Sequence, residues 1–192
     1  MGLALVAAVV AGVAVRTTSR SGQAARLWWV AALVAGGAAV ATQQASPVPV
    51  AAGLAAGGIV AAAVVDAAEN RIPTPVAHAT TAVSLAALAV YAQSRSDWSE
   101  LVVGPVLFAA LLVAACTLLW AAGAMGFGDV RLAAATVTAF VSGAEGALLV
   151  LWCAFVVSGV AVVVLRLTGR RLRHLPFGPG LALGWLVAIL VA

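Results

Sequence analysis

The chain has 192 residues, 65% of them hydrophobic and 8% charged, with a formal net charge of +4 from ten basic and six acidic residues. That leaves too little polar surface for a water-soluble domain. Its apolar stretches do not alternate, which excludes a transmembrane β-barrel, and they recur near bilayer length between short polar breaks. The pattern is an all-α, polytopic transmembrane helical bundle, one integral domain over residues 1–192.

Helices are expected at 2–15, 27–42, 48–66, 76–92, 101–122, 129–141, 147–166 and 177–191, about eight in all. The first apolar run has no basic residue ahead of it, and Arg16 follows it. It reads as a short first span with its N-terminus outside, not as a secretory signal. Trp28 and Trp29 sit just inside one boundary and Trp98 at the far side, where their rings suit the membrane interface. Gly53 and Gly57, and Gly180 and Gly184, are spaced for close helix approach. Cys116 and Cys153 lie inside apolar runs, with no CxxC or zinc spacing. They read as small buried hydrophobes, and no metal is expected.

All ten basic residues are arginine. Alternating eight spans places Arg16, Arg20, Arg26, Arg71, Arg131, Arg166, Arg170, Arg171 and Arg173 on one face and Arg95 on the other. The positive-inside rule makes the arginine-rich face cytoplasmic. On that rule "RLTGRRLRH" (166–174) is a topology anchor rather than a nucleic-acid site.

The acids divide the same way. Asp97, Glu100 and Glu145 fall in outer loops, whereas Asp66, Glu69 and Asp129 fall at helix ends on the cytoplasmic side. Asp66 and Asp129 are 63 residues apart, but two spans separate them, so both return to one membrane face. Two carboxylates brought together share a proton, and such a pair can activate water for peptide hydrolysis. By helix dipole alone, Asp129 at a helix start leans toward base, and Asp66 at a helix end leans toward acid. Asp129 also suits a plain N-cap. Gly126 and Gly128, flanking Phe127, can adopt positive φ, let the chain turn sharply and leave room for an extended substrate.

Three stretches, taken in order, resemble the type IV prepilin peptidase family, the bacterial GxGD membrane aspartic proteases. They are "VVDAAENRIPTPV" (64–76), "GFGDVRL" (126–132) and "LPFGPGLALGW" (175–185). The resemblance covers residues 47–192 and leaves 1–46 as variable N-terminal spans. It implies that Asp66 and Asp129 are the catalytic pair. By position, Gly126, Phe127 and Gly128 read as the active-site loop, and Glu69, Arg71, Pro73 and Arg131 as candidate supporting residues: Glu69 to meet a basic leader, Arg71 and Arg131 to pair with the acids or to anchor the loops. The resemblance implies an endopeptidase of the bacterial cytoplasmic membrane that removes the short basic leader of pilin-like precursors at the cytoplasmic face. The expected partners are those precursors and the lipid bilayer, with no nucleic acid and no cofactor; oligomeric state stays open.

The chain departs from the family's usual pattern in two places. Arg131 stands where the family commonly has Lys, and Thr74 follows Ile-Pro where Asn or Asp is usual, with Thr74 and Pro75 read as N-cap and first helical residue. The paired CxxC motifs of larger, N-methylating members do not occur, which points to the short, peptidase-only type without methyl transfer. The rival readings are a proton-coupled transporter, since intramembrane carboxylates also relay protons, and a non-catalytic scaffold for pilus assembly.

Overall fold

The computed structural model describes residues 2–45, 49–93, 104–123, 125–138, 144–168 and 177–191. Among them every regular element is a helix. In chain order they are α1 (Gly2–Thr18), α2 (Gly22–Arg26), α3 (Trp28–Ala45), α4 (Pro49–Glu69), α5 (Thr74–Gln93), α6 (Gly104–Ala121), α7 (Phe127–Thr138), α8 (Ala144–Leu167) and α9 (Gly178–Val191). α2 is a five-residue segment that the sequence reading did not anticipate; the other eight follow the expected order. Arg95, Asp97, Trp98, Glu100, Arg170, Arg171, Arg173 and His174 lie outside the described residues.

Of the boundaries that move, three bear on the acids. α4 continues past Asp66 through Ala67 and Ala68, both strong helix formers. It stops at Asn70, which takes the left-handed conformation (φ 51°) and returns its N–H to the Asp66 carbonyl at 2.8 Å. α5 begins at Thr74, because the Pro73 carbonyl already accepts the Ala77 N–H at 3.1 Å. That puts Pro73, not Thr74, in the cap position. α7 begins at Phe127, two residues before Asp129.

Helix directions follow from what each glycine touches. Gly36 of α3 lies against Ala4 and Ala8 of α1, and Gly12 of α1 lies against Trp28 and Ala32 of α3, so this pair is antiparallel. Gly57 of α4 lies against Ala7 and Val10 of α1, whereas Glu69 bonds to Ser19, Arg20 and Ser21, so α1 and α4 run parallel. Gly58 of α4 meets Thr80 of α5, an antiparallel pair. Gly180 of α9 meets Ala154 and Ser158 of α8, and Gly184 meets Val150 and Cys153, again antiparallel. The ends of α1, α4, α6 and α8 and the starts of α3, α5, α7 and α9 therefore gather at one end of the bundle.

α4 is the central helix. Val60, Ala61 and Val65 pack with Ala7, Ala11, Ala31 and Ala35 of α1 and α3. Ile59 and Ala62 pack into a second cluster with Leu132, Leu181 and Trp185 of α7 and α9. Most buried hydrophobic positions hold alanine, whereas Leu107, Leu111, Leu118, Trp152, Val160 and Leu190 are exposed. Among the described residues one helix, Val50–Glu69, is long and apolar enough to cross a membrane; shorter apolar helices occupy Ala4–Thr18, Trp28–Val40, Ala110–Ala121, Leu148–Val164 and Gly178–Ala188.

Candidate active site

Asp66 lies in the last turn of α4 and is 4% exposed. A carboxylate there faces the negative end of its own helix. The structure opposes that with another helix start. Gly178, the first residue of α9, donates its N–H to Asp66 Oδ2 at 2.8 Å. An N–H in the first turn of a helix has no partner within the helix and suits an anion. The approach needs glycine, because a Cβ at position 178 would stand 2.7 Å from Asp66 Oδ2 and 3.0 Å from its Cβ.

Asp129 is the third residue of α7 rather than its N-cap. Its Oδ2 accepts the Gly126 N–H at 3.0 Å, and its own N–H donates to the Gly126 carbonyl at 3.1 Å. This is a reciprocal capping arrangement with aspartate in the usual Glu or Gln position, and Gly126 occupies the cap. Both acids thus meet a helix N-terminus, so dipole direction no longer separates base from acid as the sequence suggested.

The loop glycines act differently from expectation. Neither Gly126 nor Gly128 has positive φ. The left-handed residue is Gly123 (φ 75°), whose N–H bonds the Trp120 carbonyl at 2.8 Å where α6 ends. Gly128 provides clearance instead, since a Cβ there would stand 3.3 Å from Ile72 Cβ. That contact seats the α4–α5 loop on the start of α7. Arg131 reinforces it by donating from Nη1 to Thr74 Oγ1 at 2.7 Å.

These contacts seat the starts of α7 and α9 at the end of α4, so both acids lie at one end of the bundle. Each carboxylate takes one glycine N–H on Oδ2, and among the described residues no hydrogen bond occupies either Oδ1. Such a pair can hold one proton between them while one acid polarises a water and the other an acceptor oxygen.

The remaining candidate residues divide between site and frame. Phe127 is 43% exposed, its ring 4.8 Å from that of Trp120, with the Arg131 guanidinium 4.4 Å from its centroid. Pro73 is fully buried. Glu69 and Arg71 turn toward the α1–α2 loop. Glu69 Oε1 accepts from Ser19 Oγ at 3.1 Å and from the Arg20 and Ser21 N–H groups, each at 2.8 Å. Arg71 pairs with Glu69 and with the Thr18 carbonyl. No three His, Cys, Asp or Glu side chains gather into a metal-binding group among the described residues.

Two neighbours escaped the sequence reading. Cys116, buried in α6, belongs to the core cluster that holds Val130 and Ala133 of α7, the helix that carries Asp129. Gly178 belongs to the "LPFGPG" stretch, which signals a helix start; no local spacing pairs its N–H with an acid 112 residues earlier.

Comparison with curated proteins gave no match, and neither did comparison with solved structures. A sequence model described as the type IV leader peptidase family matches residues 53–164, more than half of the chain and a span containing both Asp66 and Asp129. The chain belongs to the type IV leader peptidase family.

Proposed function

We propose that this leader peptidase is a multi-pass membrane aspartic endopeptidase in which Asp66 and Asp129 activate one water. Its substrate is a type IV pilin-like precursor, cut between its short basic leader and its apolar helix at the cytoplasmic membrane face. The observation that carries the reading is the meeting of these two acids at one end of the bundle, each steadied on Oδ2 by a glycine N–H.

The chemistry needs only the pair and water. The ionised carboxylate takes a proton from water as the oxygen attacks the scissile carbonyl, and the protonated carboxyl gives its proton to the carbonyl oxygen. The resulting gem-diol collapses when the first acid passes its proton to the leaving nitrogen and the second takes one back from a diol hydroxyl. The two acids titrate as a unit, so base and acid are roles within the cycle. The precursor's bond must be extended, because a helix ties up its carbonyls; the exposed start of α7 at Gly126 and Phe127, beside Asp129, suits such a segment.

Support for the bilayer comes from the outward leucines and tryptophans over an alanine-rich interior, an arrangement suited to lipid outside and close helix contact within. Support for the cytoplasmic face comes from Arg16, Arg20, Arg26, Arg71 and Arg131, which all belong to the end that carries the acids.

The test is co-expression with a candidate precursor and measurement of its size. The wild-type protein trims the precursor, and Asp66→Asn and Asp129→Asn leave it whole while accumulating normally in membranes. Trimming that survives both substitutions removes the aspartic mechanism.

A further inference from the structure

The two acids are held by unequal means. Asp129 is held by its own turn, from a residue three positions away. Asp66 is held by a residue 112 positions away, on a different helix. We propose that Gly178 is a positioning residue of the hydrolytic pair, its N–H seating the Asp66 carboxylate and its bare Cα giving α9 the clearance to reach it. This rests on the peptidase reading above.

Three observations support the assignment. The bond is short and buried, and it uses the N–H of the first helical residue, which has no partner within α9. A Cβ at 178 would collide with Asp66 Oδ2 at 2.7 Å and crowd its Cβ and Cγ at 3.0 and 3.2 Å. The α9 start is also firmly placed. Phe177 is buried with its ring 5.2 Å from that of Phe155 on α8, the Leu181 N–H bonds the Phe177 carbonyl at 3.1 Å, and Gly180 lies directly against the α8 backbone. Placement therefore passes from α8 through α9 to one oxygen of Asp66.

Gly178 lies beyond residue 164, where the family match ends. The helix that supplies one catalytic carboxylate with its hydrogen-bond partner is thus outside the matched region. Moving α9 by even an ångström would shift the donor that seats Asp66, and misplacement on that scale is enough to slow catalysis sharply.

The decisive experiment deletes the N–H, and the accompanying weakening of the Phe177 carbonyl as acceptor for Leu181 is matched in the control, which weakens the Pro179 carbonyl in the same way. A backbone ester at the Phe177–Gly178 linkage, introduced by nonsense suppression with glycolic acid, deletes the Gly178 N–H. The same ester at Gly180 deletes another first-turn N–H of α9 away from Asp66 and controls for a weakened helix. Precursor cleavage is then measured in proteoliposomes for both esters, the wild type and Asp66→Asn. The expected result is a kcat about tenfold to a hundredfold lower for the 178 ester, with KM within about twofold, and a near-wild-type kcat for the 180 ester. Gly178→Ala, which keeps the N–H but crowds Asp66, lowers kcat in the same way. An unchanged kcat for the 178 ester, or equal losses at 178 and 180, overturns the assignment. A wild-type protein that does not cleave, or an Asp66→Asn variant that does, overturns the peptidase reading and this inference with it.

Discussion

Arg71 Nε donates to Glu69 Oε2 at 2.8 Å, and the same guanidinium reaches the Thr18 carbonyl. The basic residue nearest Asp66 in sequence is therefore committed to the α1–α2 loop. Glu69, which also takes three donors from that loop, ties α1 to the end of α4. Removing it leaves two backbone N–H groups and a guanidinium without their acceptor. Glu69→Ala is expected to destabilise the protein by about 2–4 kcal/mol, the loss of several charge-assisted bonds at a partly buried site. Thermal unfolding in detergent reads this as a lower Tm, and Glu69→Gln recovers part of the loss because its amide oxygen still accepts.

Asp129 has a structural task beside its chemical one. Its side chain caps α7, so Asp129→Ala is expected to cost about 0.5–2 kcal/mol of stability. Asp129→Asn keeps an acceptor for the Gly126 N–H and is expected to unfold within a few degrees of wild type. Both variants lose cleavage. Comparing Tm with precursor trimming for the two separates cap from catalyst.

Arg131 joins α7 to α5 through Thr74 and lies over Phe127. Arg131→Met keeps the length of the side chain but loses the hydrogen bond and the ring contact, together about 1–2 kcal/mol. Because that contact holds the helix that carries Asp129 against the start of α5, just past the loop that follows Asp66's helix, kcat is expected to fall more than KM rises. Arg131→Lys is expected to recover activity only in part, since one ammonium does not reproduce the planar group over the ring. Steady-state cleavage kinetics decide it.

The α8–α9 contact depends on bare glycines. A Cβ at Gly184 would run into the Val150 carbonyl. Gly184→Ala must therefore push α9 off α8, at about 1–3 kcal/mol. Gly159, on the same helix pair, has nothing within 4 Å of the added carbon, so Gly159→Ala is expected to be neutral or stabilising by up to about 1 kcal/mol. Parallel melting curves of the two variants give opposite signs. Because α9 carries Gly178, the Gly184 variant is expected to lose cleavage as well.

The all-helical architecture and the shared end of the two acids were legible in the sequence, because both follow from counting apolar runs between Asp66 and Asp129. Ile72 against Gly128, and Arg131 on Thr74, were not, since they depend on rotations about helix axes that apolar, alanine-rich faces leave unmarked. The turn residue was misread for a related reason. Glycine at 126 and 128 permits a left-handed turn, but permission is not use, and Gly123 makes the turn. The Asp66–Gly178 bond was hidden most deeply, because a backbone N–H has no letter of its own in the sequence.

The alanine-rich interior has one more consequence. Alanine has no rotamers to freeze, so docking these helices sacrifices little side-chain freedom. Cohesion instead comes from main chains lying nearly in contact, as where Gly57 meets the Ala7 carbonyl. Almost any enlargement at such a crossing wedges two backbones apart, whereas outward residues can drift among leucine, valine and isoleucine. Sequence variation in this protein should therefore be wide on the rim and confined to the smallest residues along the seams.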